Sequence, residues 1–295
     1  MTENAAHHDP VLIVGAVTWD IVSGTGVDGE RRPGGVVTFA ARVASAFGVR
    51  AYVLVSAGAD ADLAAFAEHD LAVVPVEHTM TLEHRHIDGV RHQRVVARPD
   101  RMLRPSDRPD HWPAPRTMIL GTLLPGDIDL DTPEETALIA QGLQRVVTAD
   151  GTIEDSTAPS AALLDAARPG VTVYLSAEET ARWGAGEATA VDTLAARSKR
   201  VVRTMGAAGA EIRTGEATRF VPALRADVLD TTGAGDVFAS ALILAMRAGE
   251  DVAERLAAAC AAACVERIGS APLPARTELE ARAGLSGDVR TQGDR

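Results

Sequence analysis

The sequence predicts an α/β fold in which a parallel sheet is covered by helices. Short apolar runs rich in β-branched residues alternate with Ala-rich segments whose apolar residues recur every three to four positions, a rhythm typical of βα units. Hydrophobic residues make up 46% of the chain but aromatic residues only 3%, so Ala, Val and Leu must fill the core. No internal repeat or linker divides the chain. We therefore expect residues 1–295 to form one domain with flexible tails at 1–9 and 285–295.

The first quarter of the chain begins the βα series. Its strands are short, continuous and apolar, which indicates burial on both faces of a sheet. A Gly-Gly pair opens the first helix and a Phe-Gly pair closes it, as glycine commonly does after a helix. The predicted elements are a strand at 11–17, a helix from Gly34-Gly35 to about Ala46, a strand at 51–57, a helix at 60–69 and a strand at 71–76.

Residues 79–98 depart from this rhythm. Asp88-Gly89 separates two alternating runs, which is a strong signal for a hairpin with a two-residue turn. That turn would set Glu83 opposite Arg94, a favourable cross-strand pair of opposite charges. Because polar residues occur on both faces, we expect the hairpin to be an appendage rather than part of the central sheet.

The rest of the chain returns to alternating elements. Cys260 and Cys264 share one face of the last long helix, and we interpret them as small core residues because a zinc site needs about four ligands. The predicted elements are strands at 116–123, 144–149, 171–177 and 200–206, a hairpin at 211–223, and helices near 133–140 and at 157–167, 189–197, 236–249 and 251–267.

Composition also limits the function. The net charge is −12 and the isoelectric point is about 5.1, so the chain repels a phosphate backbone and nucleic acid is not an expected partner. No apolar run approaches the ~20 residues of a membrane span, and the polar start MTENAAHHDP is unlike a signal peptide. We therefore expect a cytoplasmic protein without a membrane partner. Lys199 is the only lysine, so a cationic phosphate clamp would require arginine or a metal.

The segment Asp230-Thr-Thr-Gly-Ala-Gly-Asp236 carries the clearest chemical signal. Gly233 and Gly235 can adopt φ above zero and place no side chain in the way of a ligand. The first N–H groups of the helix that follows have no partner within the helix. Together these amides would form a cup of donors at the positive end of a helix dipole, which suits a phosphoryl group in transfer.

Asp236 would lie in the first turn of that helix. The helix dipole favours its ionised form there, and an ionised carboxylate beside a phosphate cup can accept the proton of an attacking hydroxyl. A glycine loop that merely precedes a helix with an acidic first turn is the structural alternative. The complete DTTGAGD segment before a long helix favours the catalytic interpretation.

The run DTTGAGDVFASALILAM at 230–246 resembles the C-terminal signature of the ribokinase (PfkB) family of carbohydrate kinases. Gly34-Gly35, followed by FAARVASAFG up to Gly48, is similar to its N-terminal counterpart. The order of elements agrees over about residues 11–275. The resemblance implies a ribokinase-like three-layer α/β/α sandwich with a mostly parallel central sheet and a small β lid from about 18–34 and 78–98.

The resemblance also implies roles for individual residues. The amides of Gly233, Ala234 and Gly235 would form the anion hole, and Asp236 would be the catalytic base. Asp20 would bind substrate hydroxyls beside Gly34 and Gly35, although a residue at a strand-end turn could have the same pattern.

Further positions resemble the ATP side of the family. Ser176-Ala-Glu-Glu179 stands where the family has Asn-x-x-Glu, so Ser176 would lie beside the nucleotide and Glu179 would hold Mg²⁺ through water. A plain carboxylate at a helix start is the alternative for Glu179. The remaining positions implied to lie beside ATP are Thr204, Gly206, Gly209 and Gly269, the last in a loop that binds a monovalent cation in some relatives.

One position departs from the family pattern. Sugar kinases of the family usually carry Asn four residues after the Gly-Gly pair, whereas this chain has Phe39. A phenyl ring cannot form that hydrogen bond, which puts a ribose- or fructose-type pocket in doubt. An aromatic residue here, with SAEE and VERIG, is loosely similar to the subgroup that includes myo-inositol kinases.

The resemblance assigns the 79–98 hairpin to the lid, which would close over the substrate and exclude water. Arg98 at its base is a candidate substrate contact or a solvated residue at a strand end. His84 and His86 share a strand face, but we interpret the histidines of the hairpin as lid-surface residues rather than metal ligands. Lid strands pair between subunits in some relatives, so a homodimer is an expectation by analogy.

These observations predict an ATP- and Mg²⁺-dependent kinase that phosphorylates a hydroxyl of a small sugar or polyol. A nucleoside kinase of the same family is an alternative acceptor class. A non-catalytic ligand sensor on the kinase fold is an alternative of another kind, since Phe39 would also suit a pocket that binds without turnover.

Overall fold

The computed structural model of the chain describes residues 10–23, 29–87, 90–129, 131–249 and 252–285. The predicted tails, apart from Leu285, and the Asp88-Gly89 turn lie outside these residues. No helix in the described part of the chain is both long and apolar enough to cross a membrane.

The strands, in chain order, are β1 (Val11–Ala16), β2 (Thr18–Ser23), β3 (Glu30–Gly34), β4 (Tyr52–Ala57), β5 (Asp70–Pro75), β6 (Met80–Ile87), β7 (Val90–Ala97), β8 (Thr117–Gly121), β9 (Glu135–Ile139), β10 (Arg145–Val147), β11 (Thr152–Asp155), β12 (Val171–Ser176), β13 (Arg200–Thr204), β14 (Ala210–Thr214) and β15 (Ala217–Val221). The α-helices are α1 (Val36–Ala46), α2 (Ala161–Ala166), α3 (Ala177–Ala181), α4 (Glu187–Arg197), α5 (Ala234–Arg247), α6 (Ala253–Val265) and α7 (Arg276–Arg282).

Within the described residues, nine strands form a large sheet in the order β15-β14-β13-β12-β9-β8-β1-β4-β5. Its neighbouring strands are parallel from β13 to β5, and only β14 and β15 run antiparallel to their neighbours. The inner strands are buried on both faces, as continuous apolar runs predict. This arrangement confirms the mostly parallel sheet.

Helices cover both faces of the large sheet and make it a three-layer sandwich. One face packs against α1, α5 and α6 through an apolar core that includes Ile13, Ala41 and Leu242. The other face packs against α2 and α4 through a second apolar core that includes Leu163 and Leu194. The two cysteines are free and buried in the first of these cores, as the helix spacing predicts.

A second, six-stranded sheet forms the lid in the order β10-β11-β7-β6-β2-β3. The 79–98 hairpin has the predicted register, and Glu83 lies opposite Arg94 with an ion pair of 3.0 Å between them. The lid is larger than predicted, since the hairpin of β10 and β11 adds two strands to it. An apolar cluster of Ala16, Met80, Leu82, Leu123 and Leu124 joins the lid to the body of the molecule.

Two predicted helices are wrong. Residues 60–69 contain only a 3₁₀ turn at Ala64–Phe66, because side-chain hydrogen bonds tie this segment down: Asp60 accepts from Thr79 and Arg31, and Asp62 accepts from the Ala64 N–H. The segment near 133–140 forms β9 inside the large sheet. Its short apolar run ETALI suits a buried strand as well as a helix, so periodicity alone misassigned it.

Candidate active site

The candidate site lies at the edge of the large sheet where its parallel strands end. Ligands of open α/β sheets bind outside this edge. β12 and β13 end side by side at Ser176 and Thr204, which are register partners. β1 ends at the same edge, and the chain passes from it directly into the lid strand β2. Sequence segments far apart in the chain therefore converge here.

Of the two glycines in the loop, Gly233 adopts the left-handed backbone that glycine allows, whereas Gly235 is part of the helix α5. Gly233 has φ 77° and ψ 0°, in the left-handed region, and immediately precedes α5 without a side-chain cap on the helix. The Val237 N–H donates to the Gly233 carbonyl at 2.9 Å, and the Ala234 N–H donates to the Thr231 carbonyl at 3.3 Å. The start of α5, residues 233–236, which we call the cradle, therefore lies at the sheet edge, where N–H groups of a helix start can bind an anion. The Ala234 N–H is paired with Thr231, and the anion hole stays a prediction.

Asp230 holds this loop in place. Its Oδ1 accepts from the Thr232 N–H and its Oδ2 accepts from the Gly269 N–H, both at 2.9 Å. Burial raises the pKa of Asp230, but these hydrogen bonds and the guanidinium of Arg32 outweigh it and hold the pKa below its ordinary value. Asp230 thereby connects the loop around Gly269 to the glycine loop before α5.

Phe39 lies in the core beneath the cradle and is 3% exposed. A Cβ placed on Gly233 would overlap the Phe39 ring, so the ring packs directly against the glycine backbone. The resemblance places Phe39 in the acceptor pocket, and that role stays a prediction. Through this contact, α1 packs against the start of α5.

The predicted ATP side is brought together around Thr204. A Cβ on Gly235 would lie 3.8 Å from the Thr204 Oγ1, so the end of β13 adjoins the cradle. Gly206 and Gly209 form the turn that follows, with the Met205 N–H donating to the Gly209 carbonyl at 2.7 Å. The backbone of Gly209 packs so closely against Val221 that no side chain would fit.

Glu179 lies at the start of α3 and forms a reciprocal capping box with Ser176. The Ser176 N–H donates to Glu179 Oε2 at 2.7 Å, and the Glu179 N–H donates to Ser176 Oγ at 3.1 Å. Burial raises the pKa of Glu179, while the Ser176 N–H and the nearby Arg145 act against this shift. The capping box is what the alternative interpretation, a carboxylate at a helix start, predicts. Glu179 is nevertheless an oxygen ligand of the kind that Mg²⁺ binds, and its role toward the metal stays a prediction.

The predicted acceptor side is assembled between the lid and α1. Asp20 projects from β2 onto the backbone of Gly34, where a Cβ would overlap the Asp20 Oδ2. Gly35 has φ 88° and precedes α1, which also lacks a side-chain cap. The carboxylate therefore lies beside a second uncapped helix start. Arg98 follows β7 and is exposed, and its contact with substrate stays a prediction.

A row of polar side chains on the lid, which sequence reasoning missed, continues from Asp20. His84 Nε2 lies 3.2 Å from Asp20 Oδ1, and His84 Nδ1 lies 3.2 Å from Gln93 Nε2. Gln93 Oε1 lies 3.4 Å from Arg145 Nη2. His84 is only 5% exposed, so interpreting it as a lid-surface histidine was wrong. The sequence feature that could have indicated this row was the polar character of both faces of the hairpin.

The lid also reaches the donor side of the site through Arg32 of β3. Its Nη1 lies 3.6 Å from Asp230 Oδ2, and its Nη2 lies 2.9 Å from Glu30 Oε2. Nearby, Ser270 Oγ donates to the Pro33 carbonyl at 2.9 Å. Within the described ranges, no group of three or more His, Cys, Asp or Glu residues is arranged to hold a metal ion.

Comparison with known proteins agrees with this architecture. Residues 13–276 match the pfkB family carbohydrate kinases. The chain belongs to the pfkB family. Carbohydrate kinases of this family are phosphotransferases that act on hydroxyl groups. A ribokinase of Lactococcus lactis subsp. lactis (strain IL1403) is 31% identical to this pfkB-family chain over 88 residues, which span 29% of each protein.

Two solved structures show the same fold at low sequence identity. One is a pyrophosphate-dependent kinase in the ribokinase family, in complex with a pyrophosphate analog and myo-inositol; it is 17% identical with a TM-score of 0.74, and the match covers 92% of this chain and 99% of that one. The other is Arabidopsis thaliana ribokinase with ribose and ATP, at 19% identity and a TM-score of 0.68, covering 93% and 98%. They confirm the ribokinase-like fold of this pfkB-family chain.

Proposed function

We propose that the protein is an ATP-dependent kinase that transfers the γ-phosphoryl group to a hydroxyl of a sugar or polyol. The observation that carries this proposal is the start of α5, which has no side-chain cap. Gly233 before it is left-handed, Asp236 lies in its first turn, and Gly235 adjoins the strand end at Thr204. Such a helix start binds a phosphoryl group, and a carboxylate beside it can activate a hydroxyl.

The proposed reaction is an in-line displacement. Asp236 takes the proton of the acceptor hydroxyl while the oxygen forms a bond to the γ-phosphorus, and the bond from that phosphorus to the β,γ-bridging oxygen breaks. The first-turn amides around Gly235 stabilise the charge on the phosphoryl oxygens. Mg²⁺, held through water by Glu179, would neutralise charge on the phosphates when bound. ADP and the phosphorylated acceptor leave.

ATP and pyrophosphate are the two candidate phosphoryl donors, because one structural relative is a pyrophosphate-dependent kinase. Three large apolar side chains, Val228, Leu229 and Ile268, are 60%, 68% and 57% exposed. They lie in the two segments that Asp230 joins, since Leu229 precedes it and Ile268 precedes the Gly269 whose N–H it binds. Apolar surface beside the cradle suits a purine base and would have no use with pyrophosphate. ATP is therefore the proposed donor.

The acceptor proposed here is a neutral polyol such as an inositol-like cyclitol. Asp20 beside the Gly34 backbone can accept hydrogen bonds from hydroxyl groups, and its charge disfavours an anionic substituent there. A panel of inositols, hexoses, ribose and nucleosides, each tested with ATP and with pyrophosphate, identifies acceptor and donor together. Turnover of nucleosides alone would reassign the acceptor class, and binding without turnover would favour a sensor.

The general base is tested with Asp236→Asn. We expect turnover to fall at least ~10²-fold, the lower range for loss of a general base, with an unchanged thermal unfolding midpoint because the amide keeps the size of the carboxylate. Asp165→Asn is the matched control, since Asp165 is exposed on α2. Undiminished turnover in Asp236→Asn would refute the assigned role.

A further inference from the structure

A continuous row of polar side chains crosses the lid from Asp20 to Arg145. It uses one residue each from β2, β6, β7 and β10, joined by separations of 3.2 Å, 3.2 Å and 3.4 Å. His84 and Arg145 are only 5% and 4% exposed. Burying polar groups costs free energy unless each finds a partner, so a lid that served only as a cover would be expected to carry apolar residues here.

The chemistry of the row fixes the direction of its hydrogen bonds. The Arg145 guanidinium can only donate, so the oxygen of the Gln93 amide faces it and the NH₂ group faces His84. Gln93 then donates to His84 Nδ1, which leaves the ring proton of a neutral imidazole on Nε2. That nitrogen faces Asp20, so the row delivers a donor to the carboxylate.

His84 and Asp20 are in close contact, since His84 Nε2 and Asp20 Oδ1 are 3.2 Å apart. We treat it as a close electrostatic contact. Thr18 Oγ1 approaches the same Oδ1 at 3.5 Å. One carboxylate oxygen thus faces Thr18 and His84, while the other lies against the Gly34 backbone.

We infer that His84 is a positioning residue that fixes the Asp20 carboxylate for an uncharged acceptor hydroxyl. Because Oδ1 faces His84, Oδ2 is the oxygen that accepts the hydrogen bond of the acceptor hydroxyl, beside the start of α1. Gln93 and Arg145 act behind His84 by holding the tautomer that donates. An acceptor with a carboxylate or phosphate at this end would face Asp20 and be rejected. This inference rests on the proposed kinase function.

The test compares two substitutions of His84 with a control. His84→Leu keeps the apolar volume and removes the donor, whereas His84→Gln retains an N–H group of similar reach. His92→Ala is the control because His92 is exposed on the same hairpin. The measurements are the KM of the best acceptor from the panel, the KM of ATP, kcat and the thermal unfolding midpoint.

We expect His84→Leu to raise the acceptor KM about 10- to 100-fold, with the KM of ATP unchanged. A misplaced Asp20 would lose its hydrogen bond from the acceptor hydroxyl, and this range corresponds to one hydrogen bond to a charged group. His84→Gln should recover at least half of this loss on a logarithmic scale, and His92→Ala should behave as wild type. A purely structural role would lower the unfolding midpoint and raise both KM values together. That result, or an unchanged acceptor KM in a folded His84→Leu protein, would overturn the inference.

Calorimetric titration of the acceptor separates this inference from the proposed function. If the wild type binds a polyol but transfers no phosphoryl group from ATP, the kinase proposal fails. His84→Leu is then judged by the dissociation constant of that polyol, with the same expected 10- to 100-fold weakening. An equal dissociation constant in wild type and variant would contradict the role of His84 whatever the wild type catalyses.

Discussion

Gly233 meets two requirements at one position. Its backbone is left-handed, with φ 77°, and the Phe39 ring fills the space that a Cβ on this residue would need. Glycine adopts this conformation without the steric cost that other residues incur. Gly215 has a similar conformation, with φ 56°, but a Cβ there would meet open space. Alanine substitutions at Gly233 and Gly215 therefore separate the cost of a left-handed backbone from the cost of placing a Cβ in occupied space.

We expect Gly233→Ala to lower the free energy of unfolding by about 2–4 kcal/mol, which combines a left-handed alanine with overpacking against Phe39. Gly215→Ala should lose only about 1–2 kcal/mol, since it has the strain alone. Urea unfolding followed by circular dichroism measures both. Phe39→Leu introduced into Gly233→Ala should recover part of the difference, and equal losses in the two glycine variants would show that Phe39 does not restrict this loop.

Asp127 is expected to make stability depend on pH. Burial raises its pKa to about 6, although the N–H groups of Leu123 and Leu124 both donate to its Oδ2. Its Oδ1 is buried without a hydrogen-bond partner among the described residues. The pKa of Asp127 in the folded state lies above the unfolded value near 3.8. Its contribution to the free energy of unfolding is therefore fully present below pH ~3.8 and is lost as the pH rises through about 6.

Asp127→Asn removes this titration. We expect the variant to gain stability relative to wild type between pH 4 and pH 7, by at most about 3 kcal/mol. Paired urea denaturation curves at several pH values isolate the effect, because the other carboxylates are common to both proteins. A difference that stays constant over this pH range would mean that the Asp127 pKa is not raised in the folded state.

At the scale of elements, the sequence was informative where signals are local. The Asp88-Gly89 signal predicted the register that β6 and β7 have, and the continuous apolar runs identified the inner strands. The glycine loop and Asp236 were predictable because they occupy one contiguous stretch before a helix. By contrast, ETALI is short and apolar, and only its place between β8 and β12 makes it a strand.

The polar row on the lid could not be predicted in the same way. His84, Gln93 and Arg145 come from three strands, and β10 joins the lid only through tertiary pairing with β11 and β7. Nothing in the local pattern of residues 144–149 distinguishes a lid strand from a strand of the central sheet. The pairing partner, which is remote in sequence, decides which face of the molecule Arg145 reaches.

The lid is held to the body of the molecule by apolar packing, and this too can be tested. Met80 on β6 is 1% exposed within the cluster that contains Leu123 and Leu124. We expect Met80→Ala to cost about 2–5 kcal/mol, as for other buried large-to-small changes. Val96 on β7 is 48% exposed, so Val96→Ala should change the unfolding free energy by less than about 0.5 kcal/mol.

Chemical denaturation with two probes distinguishes a packed lid from a loosely attached one. The lid carries Trp19, whose ring lies 4.8 Å from the Arg31 guanidinium, whereas Trp183 is buried in the body. With single-tryptophan variants, fluorescence transitions at the same denaturant concentration indicate one cooperative unit. Earlier loss of the Trp19 signal, together with a small effect of Met80→Ala, would contradict the packed lid.

At the scale of the whole molecule, the candidate site and the single lysine lie at opposite edges of the large sheet. Lys199 immediately precedes β13, and its Nζ lies 2.8 Å from Glu135 Oε1 at the start of β9. β13 ends at Thr204 beside the cradle, so the strand separates the two by about 16 Å. The pair is partly exposed, and such pairs contribute about 0–1 kcal/mol.

Lys199→Gln is therefore expected to leave kcat and both KM values unchanged and to lower the free energy of unfolding by less than about 1 kcal/mol. Steady-state kinetics and urea unfolding check the two halves of this expectation. A loss of activity in a stably folded Lys199→Gln protein would show that the edge opposite the glycine loop takes part in turnover.

The position of Lys199 has a practical consequence for how the molecule can be handled. Because the chain has one lysine and it lies at the other end of β13 from the candidate site, coupling through the Lys199 amine would leave the candidate site facing the medium. Sensor chips and immobilised reactors coupled at this amine would retain access to the candidate site.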